Sequence, residues 1–172
     1  MVIGRYHIIA YERSSDMEGF RPDKAIRLAD ASDLPTLEPL LAPGVDHAAR
    51  LAAGDICVWA ATPDGTAAGL QWVNLSGHPD RHFAGLSRPG HGIAYLNQIV
   101  VDDRYRIRGY APRVMIASVK AAGDAGFPKV RGLVATTNTT MQTLLEGLGF
   151  VRTGSQRGVR LGRSVTLRLG GA

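Results

Sequence analysis

The apolar residues of this chain fall into runs whose spacing separates strands from helices. Ile93 to Val101 is apolar except at Asn97-Gln98 and predicts a buried strand. After a short charged loop, Ala111, Met115, Val119 and Ala122 recur at i, i+4, i+8 and i+11, one face of a helix that begins near Tyr110. Leu133 to Thr137 reads as another strand. Asn138 follows as a helix N-cap, and Met141, Leu144, Leu145 and Leu148 form an apolar stripe that Gly149-Phe150 closes.

Upstream, Ala25 to Ala29 predicts a strand. Asp30 and Asp33 offer caps for a helix through Leu41, with Pro35 acceptable in its first turn. A second short helix runs from Asp46 to Ala53 and stops at Gly54. Asp55 to Ala61, a Pro63-Asp64-Gly65 turn and Ala67 to Leu75 predict a β-hairpin. Phe150 to Thr153 and Arg160 to Arg168 predict two short strands at the end. Val2 to Tyr11 reads as a strand or an arm, and Ser14 to Asp23 is polar and turn-rich. Residues 1–24 are therefore expected as an extension that could lid a site, pair with a partner chain or stay partly disordered. Residues 25–172 are expected as one domain, and a homodimer is left open.

The chain has 172 residues, 45% of them hydrophobic and 20% charged, an ordinary globular balance with enough length for a core. Its single cysteine, Cys57, excludes an internal disulfide and fits a reducing cytoplasm. It lies in the apolar run Ile56 to Ala60, as a small core residue would. No apolar run approaches the length of a membrane span, and Val2 to Ala10 has neither the unbroken apolar core nor the cleavage pattern of a signal peptide. The net charge of +5 and the pI near 9.8 invite a nucleic-acid reading. The arginines that carry most of the charge are scattered, and no nucleic-acid motif accompanies them, so the expectation is no nucleic-acid partner.

The chemistry concentrates where the central strand meets its helix. A strand that ends in a tight glycine loop feeding a helix N-terminus gathers free backbone N–H groups and the positive end of the helix dipole, which suits an anion. Gly109 permits a sharp turn and a close backbone approach, Ala111 keeps the next wall low, and Arg106 and Arg108 add charges that can fork onto phosphate. A Walker loop is excluded because no Lys follows Gly109. A dinucleotide fingerprint is excluded because its glycine spacing is missing. An ordinary strand-to-helix turn bearing surface arginines would share the pattern.

Val101-Asp-Asp-Arg-Tyr-Arg-Ile-Arg-Gly-Tyr-Ala111 resembles the acyl-CoA-binding motif of the GNAT superfamily of N-acyltransferases. Asn138-x-x-Met141-x-x-x-Leu145-x-x-x-Gly149-Phe150 resembles that family's Asn-x-x-Ala-x-x-x-Tyr-x-x-x-Gly-Phe element, in the right order and spacing. The resemblance covers about half the chain. It implies an α/β (α+β) fold: a mixed, mostly antiparallel sheet of about six or seven strands with about four flanking helices, its fourth and fifth strands splayed to admit a pantetheine arm. It also implies acetyl or other short acyl transfer from acyl-CoA directly to an amine of a small molecule or peptide, with acetyl-CoA as the only cofactor and no metal.

The same resemblance assigns Ile99, Val100, Val101, Arg106, Ile107, Arg108, Gly109, Tyr110, Ala111 and Asn138 to cofactor binding. Catalysis is less complete. The tyrosine that family members use to protonate the thiolate corresponds to Leu145, which cannot donate a proton, with Thr140, Thr143 and Tyr110 as nearby substitutes. Where a carboxylate base is common, the strand offers Asn97 and Gln98, which can orient water or acceptor but take up no proton. Tyr95, His91 and Asp102 are the nearest titratable groups. Asn97, Gln98 and Tyr95 are taken as the candidate catalytic set. A GNAT fold serving as an acyl-CoA sensor or interaction module is the alternative.

The segment from Ser76 to Gly92 is long for a connection in a compact domain, and its His78, His82, His91, Arg81 and Arg88 are expected to wall the acceptor site and favour an anionic acceptor. The His78-x-x-x-His82 spacing would serve a metal on a helix, but Pro79 argues against one there.

Overall fold

The computed structural model describes residues 3–21, 23–77, 89–161 and 165–168, and only the backbone of 3–6, 158–161 and 165–168. Among the described residues, eight strands form one mixed sheet in the order β2-β3-β4-β5-β6-β1-β7-β8. They are β1 (Ile3–Ser14), β2 (Ile26–Leu28), β3 (Ile56–Ala61), β4 (Ala67–Asn74), β5 (Ile93–Val101), β6 (Lys129–Ala135), β7 (Val151–Leu161) and β8 (Val165–Arg168). Four α-helices accompany them: α1 (Leu34–Leu37), α2 (His47–Ala52), α3 (Tyr110–Asp124) and α4 (Thr139–Gly147). The mixed sheet and the four helices are as the sequence predicts. The count exceeds six or seven strands because Ile3–Ser14 joins the sheet.

That strand lies in the interior of the sheet. β1 pairs antiparallel with β6 from Ile8↔Ala135 to Ser14↔Lys129, and antiparallel with β7 from Ile3↔Leu161 to Glu12↔Val151. Ile8, Ile9, Ala10 and Tyr11 are buried. The following segment crosses α3. Ser15 N–H donates to the Pro128 carbonyl at 3.0 Å, and at the other end Arg113 pairs with Asp23.

β5 and β6 pair in parallel, because α3 connects them as a crossover. Alternation along β3 and β4 divides the core between two faces. Cys57, Trp59, Leu70 and Trp72 pack with Leu37 and Leu40 beside α1, whereas Val58, Ala60 and Ala68 meet Val114, Ala117 and Ala121 of α3. Met115, Val119 and Ala122 of the predicted stripe lie in the main core with Leu145 of α4. Burial pushes the Cys57 thiol up to about 12, so it is a core residue with no thiolate at neutral pH.

Two elements differ from expectation. In place of short strands at Phe150 to Thr153 and Arg160 to Arg168 there is an eleven-residue β7, Val151–Leu161, which β1 pairs along its length, followed by a four-residue β8. The helix expected through Leu41 is a four-residue α1 between two 3-10 turns, Ala31–Asp33 and Glu38–Leu40. Asp30 and Asp33 cap the first turn reciprocally, and Pro39 removes an N–H that a continuous helix would need. No helix among the described residues is long and apolar enough to cross a membrane.

Candidate functional site

The sheet opens where β5 and β6 part. Their ladder runs from Ile93↔Lys129 to Leu96↔Gly132 and ends there. Beyond it β5 stays with β4 and β6 stays with β1. These are the splayed strands, fourth and fifth when counted without β1. On the β4 side, Trp72 pairs with Asn97 and Leu70 with Val100, so Gln98 and Ile99 stand opposite Gln71 alone. This bulge places Gln98 in the left-handed region at φ 48°. Gly69 makes the close approach feasible, since a Cβ there would lie 2.9 Å from the Val100 carbonyl oxygen. Ile99, Val100 and Val101 thus form the end of β5, with no ladder on the β6 side.

β5 leads into the charged loop. Asp102 caps a 3-10 turn, Asp103–Tyr105, by accepting from the Arg104 N–H at 2.9 Å. The Arg104 guanidinium, seconded by that N–H, holds the Asp102 carboxyl down to about 2, which makes it a poor base. Arg106 pairs with Asp103 at 2.7 Å on the surface. Ile107 is fully exposed at φ 65°, an unusual state for a β-branched residue. The Arg108 guanidinium sits 5.8 Å from the Tyr105 ring and has no carboxylate partner among the described residues. Tyr110 meets the same ring edge-on.

Gly109 is the N-cap of α3 at φ 77°, ψ 13°, and no side chain caps the helix. A Cβ on Gly109 would meet nothing within 4 Å. The Tyr110 and Ala111 N–H groups therefore lack intrahelical acceptors, and Pro112 has no N–H to offer. An open, uncapped helix start beside Arg106 and Arg108 suits a phosphate. Asn138 lies at the start of α4, where its Oδ1 accepts from the Met141 N–H at 3.1 Å.

Of the candidate catalytic residues, Tyr95 and Asn97 are buried and Gln98 is half-buried. Tyr95 lies in a row across three strands with Arg131 and Glu12. Arg131 Nη1 donates to the Tyr95 hydroxyl at 3.1 Å and Nε donates to Glu12 Oε1 at 2.6 Å. Burial alone would lower the Arg131 guanidinium, but its bonds to Glu12 and Tyr95 prevail and raise it. His91 is exposed ahead of β5, and Ile93 alone is about 13 Å along the strand from Asn97, so His91 stands apart from the bulge. His78, Arg81, His82 and Arg88 lie outside the described residues. No group of three potential metal ligands occurs among the described residues.

Leu145 is buried against Gly132, whose added Cβ would lie 3.6 Å from it, while Thr140 and Thr143 are exposed. Leu145→Tyr is expected to destabilise the fold by about 1–3 kcal/mol through overpacking. It should bring no gain in acetyl-CoA turnover. Thermal unfolding together with a free-thiol assay checks both parts, and a large gain in turnover would contradict the second.

Two charged groups beneath the bulge escaped the sequence reading. Arg50 of α2 and Asp55 form a buried ion pair, Nε to Oδ2 at 2.9 Å, and Arg50 Nη1 donates to Gln98 Oε1 at 3.1 Å. A signal was present, since Arg50 and Asp55 flank the Gly54 stop between a short helix and an apolar strand.

The mixed sheet opens beside an uncapped helix start, the arrangement that the GNAT resemblance implies. Residues 26–150 match the acetyltransferase (GNAT) family model, and the chain belongs to that family. No curated protein matches the sequence. Among solved structures, a GNAT-family protein from Novosphingobium aromaticivorans superposes with a TM-score of 0.70 at 19% identity, over 94% of this chain and 66% of that one. An acetyltransferase of the family from Colwellia psychrerythraea gives 0.65 at 13% identity, over 99% of this chain and 58% of that one. An aminoglycoside N-acetyltransferase solved with CoA gives 0.59 at 22% identity, over 73% of this chain and 90% of that one. The chain thus spans about two thirds or less of the first two proteins.

Proposed function

We propose that this chain is an N-acyltransferase that transfers an acetyl group from acetyl-CoA directly to an amine of a small molecule or peptide. The observation that carries the reading is the opening between β5 and β6, which leads to the uncapped start of α3. The aminoglycoside acetyltransferase solved with CoA supports the same ligand. Acetyl-CoA supplies the thioester: a C–N bond forms as the C–S bond breaks, the amine loses a proton and the thiolate gains one.

The chain's own groups bind and orient. The Tyr110 and Ala111 amides, with Arg106 and Arg108, hold the pyrophosphate. Backbone N–H groups of Ile99 to Val101 line the pantetheine arm and the carbonyl oxygen. Asn97, Tyr95 and the amide nitrogen of Gln98 offer polar atoms to acceptor and water, and water carries the proton, because none of the three is a carboxylate or an imidazole. The buried Asp55 beneath the bulge and the half-buried Glu12 on β1 are each engaged by an arginine. Among the described residues no unpaired carboxylate lines the bulge to receive a polycationic amine, which favours a neutral or anionic acceptor.

A panel of amines incubated with acetyl-CoA, with free thiol followed over time, tests this function. Turnover with a monoamine or amino-acid-like acceptor is the expected result. CoA binding by calorimetry without turnover on any amine would instead favour a sensor, the reading supported by the lack of an unpaired carboxylate beside the bulge among the described residues. Absence of both would overturn the proposal.

A further inference from the structure

Gln98 holds a conformation that a non-glycine side chain disfavours, at the point where β5 leaves β6. Such a conformation persists when its surroundings over-determine it, and the surroundings here are specific. Gln98 Oε1 accepts from Arg50 Nη1. Arg50 is in turn held on three sides. Its Nε donates to Asp55 Oδ2, its guanidinium carbon stands 4.1 Å from the Trp72 ring centroid, and its side chain is 2% exposed. Trp72 is the β4 residue paired with Asn97, immediately before the bulge. Asp55 completes the arrangement, because Oδ1 accepts from the Leu75 and Ser76 amides at 3.0 and 2.9 Å. One buried guanidinium therefore ties α2, the exit of β4 and the bulge of β5 together. Its Nη2 is buried with no partner among the described residues, so the hydrogen bonds they supply do not alone account for its presence.

We propose that Arg50, anchored by Asp55, is a positioning residue that locks the Gln98 bulge and so fixes the backbone of Ile99 to Val101 facing the acyl-CoA cleft. The inference rests on the acyltransferase reading for its catalytic consequence. It is distinct in its physical content, which is the rigidity of β5.

The test uses Gln98→Ala, Gln98→Gly and the double variant Arg50→Met/Asp55→Asn, which removes the tether without leaving a lone buried charge. Gln98→Ala keeps the backbone strain and loses the tether, whereas glycine adopts the same φ freely. In the free protein, amide hydrogen exchange at Ile99 to Val101 should accelerate about tenfold or more in Gln98→Ala and in the double variant, and less in Gln98→Gly. With acetyl-CoA, kcat/KM should fall about tenfold or more in the same order. Affinity for adenosine 3′,5′-bisphosphate, which lacks the pantetheine arm, should stay within about twofold because the phosphate loop is untouched.

Unchanged exchange at Ile99 to Val101 in folded Gln98→Ala and double variants overturns the lock. So does a parallel loss of bisphosphate affinity, which marks general damage. If the unsubstituted protein binds no CoA, the acyltransferase reading falls, and the exchange data still decide the lock.

Discussion

Gly109→Val is expected to weaken CoA binding by at least about tenfold, roughly 1.4 kcal/mol, while leaving the protein folded. Two effects contribute. Gly109 sits in the left-handed region at the cap of α3, where a side chain costs about 1–2 kcal/mol and a β-branched one is the worst case. The space above it is also open, so the two valine methyl groups would stand where a phosphate approaches the amides of Tyr110 and Ala111. Gly109→Asn separates the two effects, because asparagine tolerates the conformation while still filling the space. If close approach matters, calorimetry should find CoA weakened in both variants; if only conformation matters, Gly109→Asn will bind normally. Normal affinity in Gly109→Val would remove the phosphate assignment from this loop.

The largest stability change is expected at Asp55. Its side chain is fully buried and Arg50 is 2% exposed, so Asp55→Ala strands a guanidinium in the interior and deprives the Leu75 and Ser76 amides of their acceptor. Breaking a buried pair from one side costs about 3–5 kcal/mol. For a domain of this size that lowers Tm by roughly 6–20 °C. The double variant Arg50→Met/Asp55→Asn should cost less than Asp55→Ala alone, because it removes both charges and keeps an oxygen near Leu75 and Ser76. A loss under about 1 kcal/mol in Asp55→Ala would show that water reaches the pair.

What could be read beforehand was local. Met115, Val119 and Ala122 announce α3 by spacing alone, and Asn138 marks the start of α4 because its capping bond spans three residues. The β3–β4 hairpin is signalled by its own turn. Gly109 is legible because a loop that turns into a helix calls for a residue free of steric cost. The illegible features depend on partners distant in sequence. Ile3–Ser14 is interrupted by Arg5, His7 and Glu12, and its strand character is settled by Lys129 to Ala135 and Val151 to Leu161 on its two sides. Gln98 carries no sign of its unusual φ, which arises from a bulge against β4 and a guanidinium forty-eight residues upstream. The shortened α1 could have been anticipated, because Pro39 was in view.

The interior position of β1 sets a timetable for folding. Glu12 meets Arg131 across 119 residues of chain and Tyr11 meets Glu146 across 135, so β1 is synthesised long before the partners it pairs with. At 5–20 residues per second, roughly 6–24 s pass between the appearance of β1 and that of β6. During that interval β2 to β5 can pair among themselves, while β1, with both edges bare, must stay clear of other chains. Closure of the sheet therefore depends on pairings of high sequence separation, the kind that form slowly.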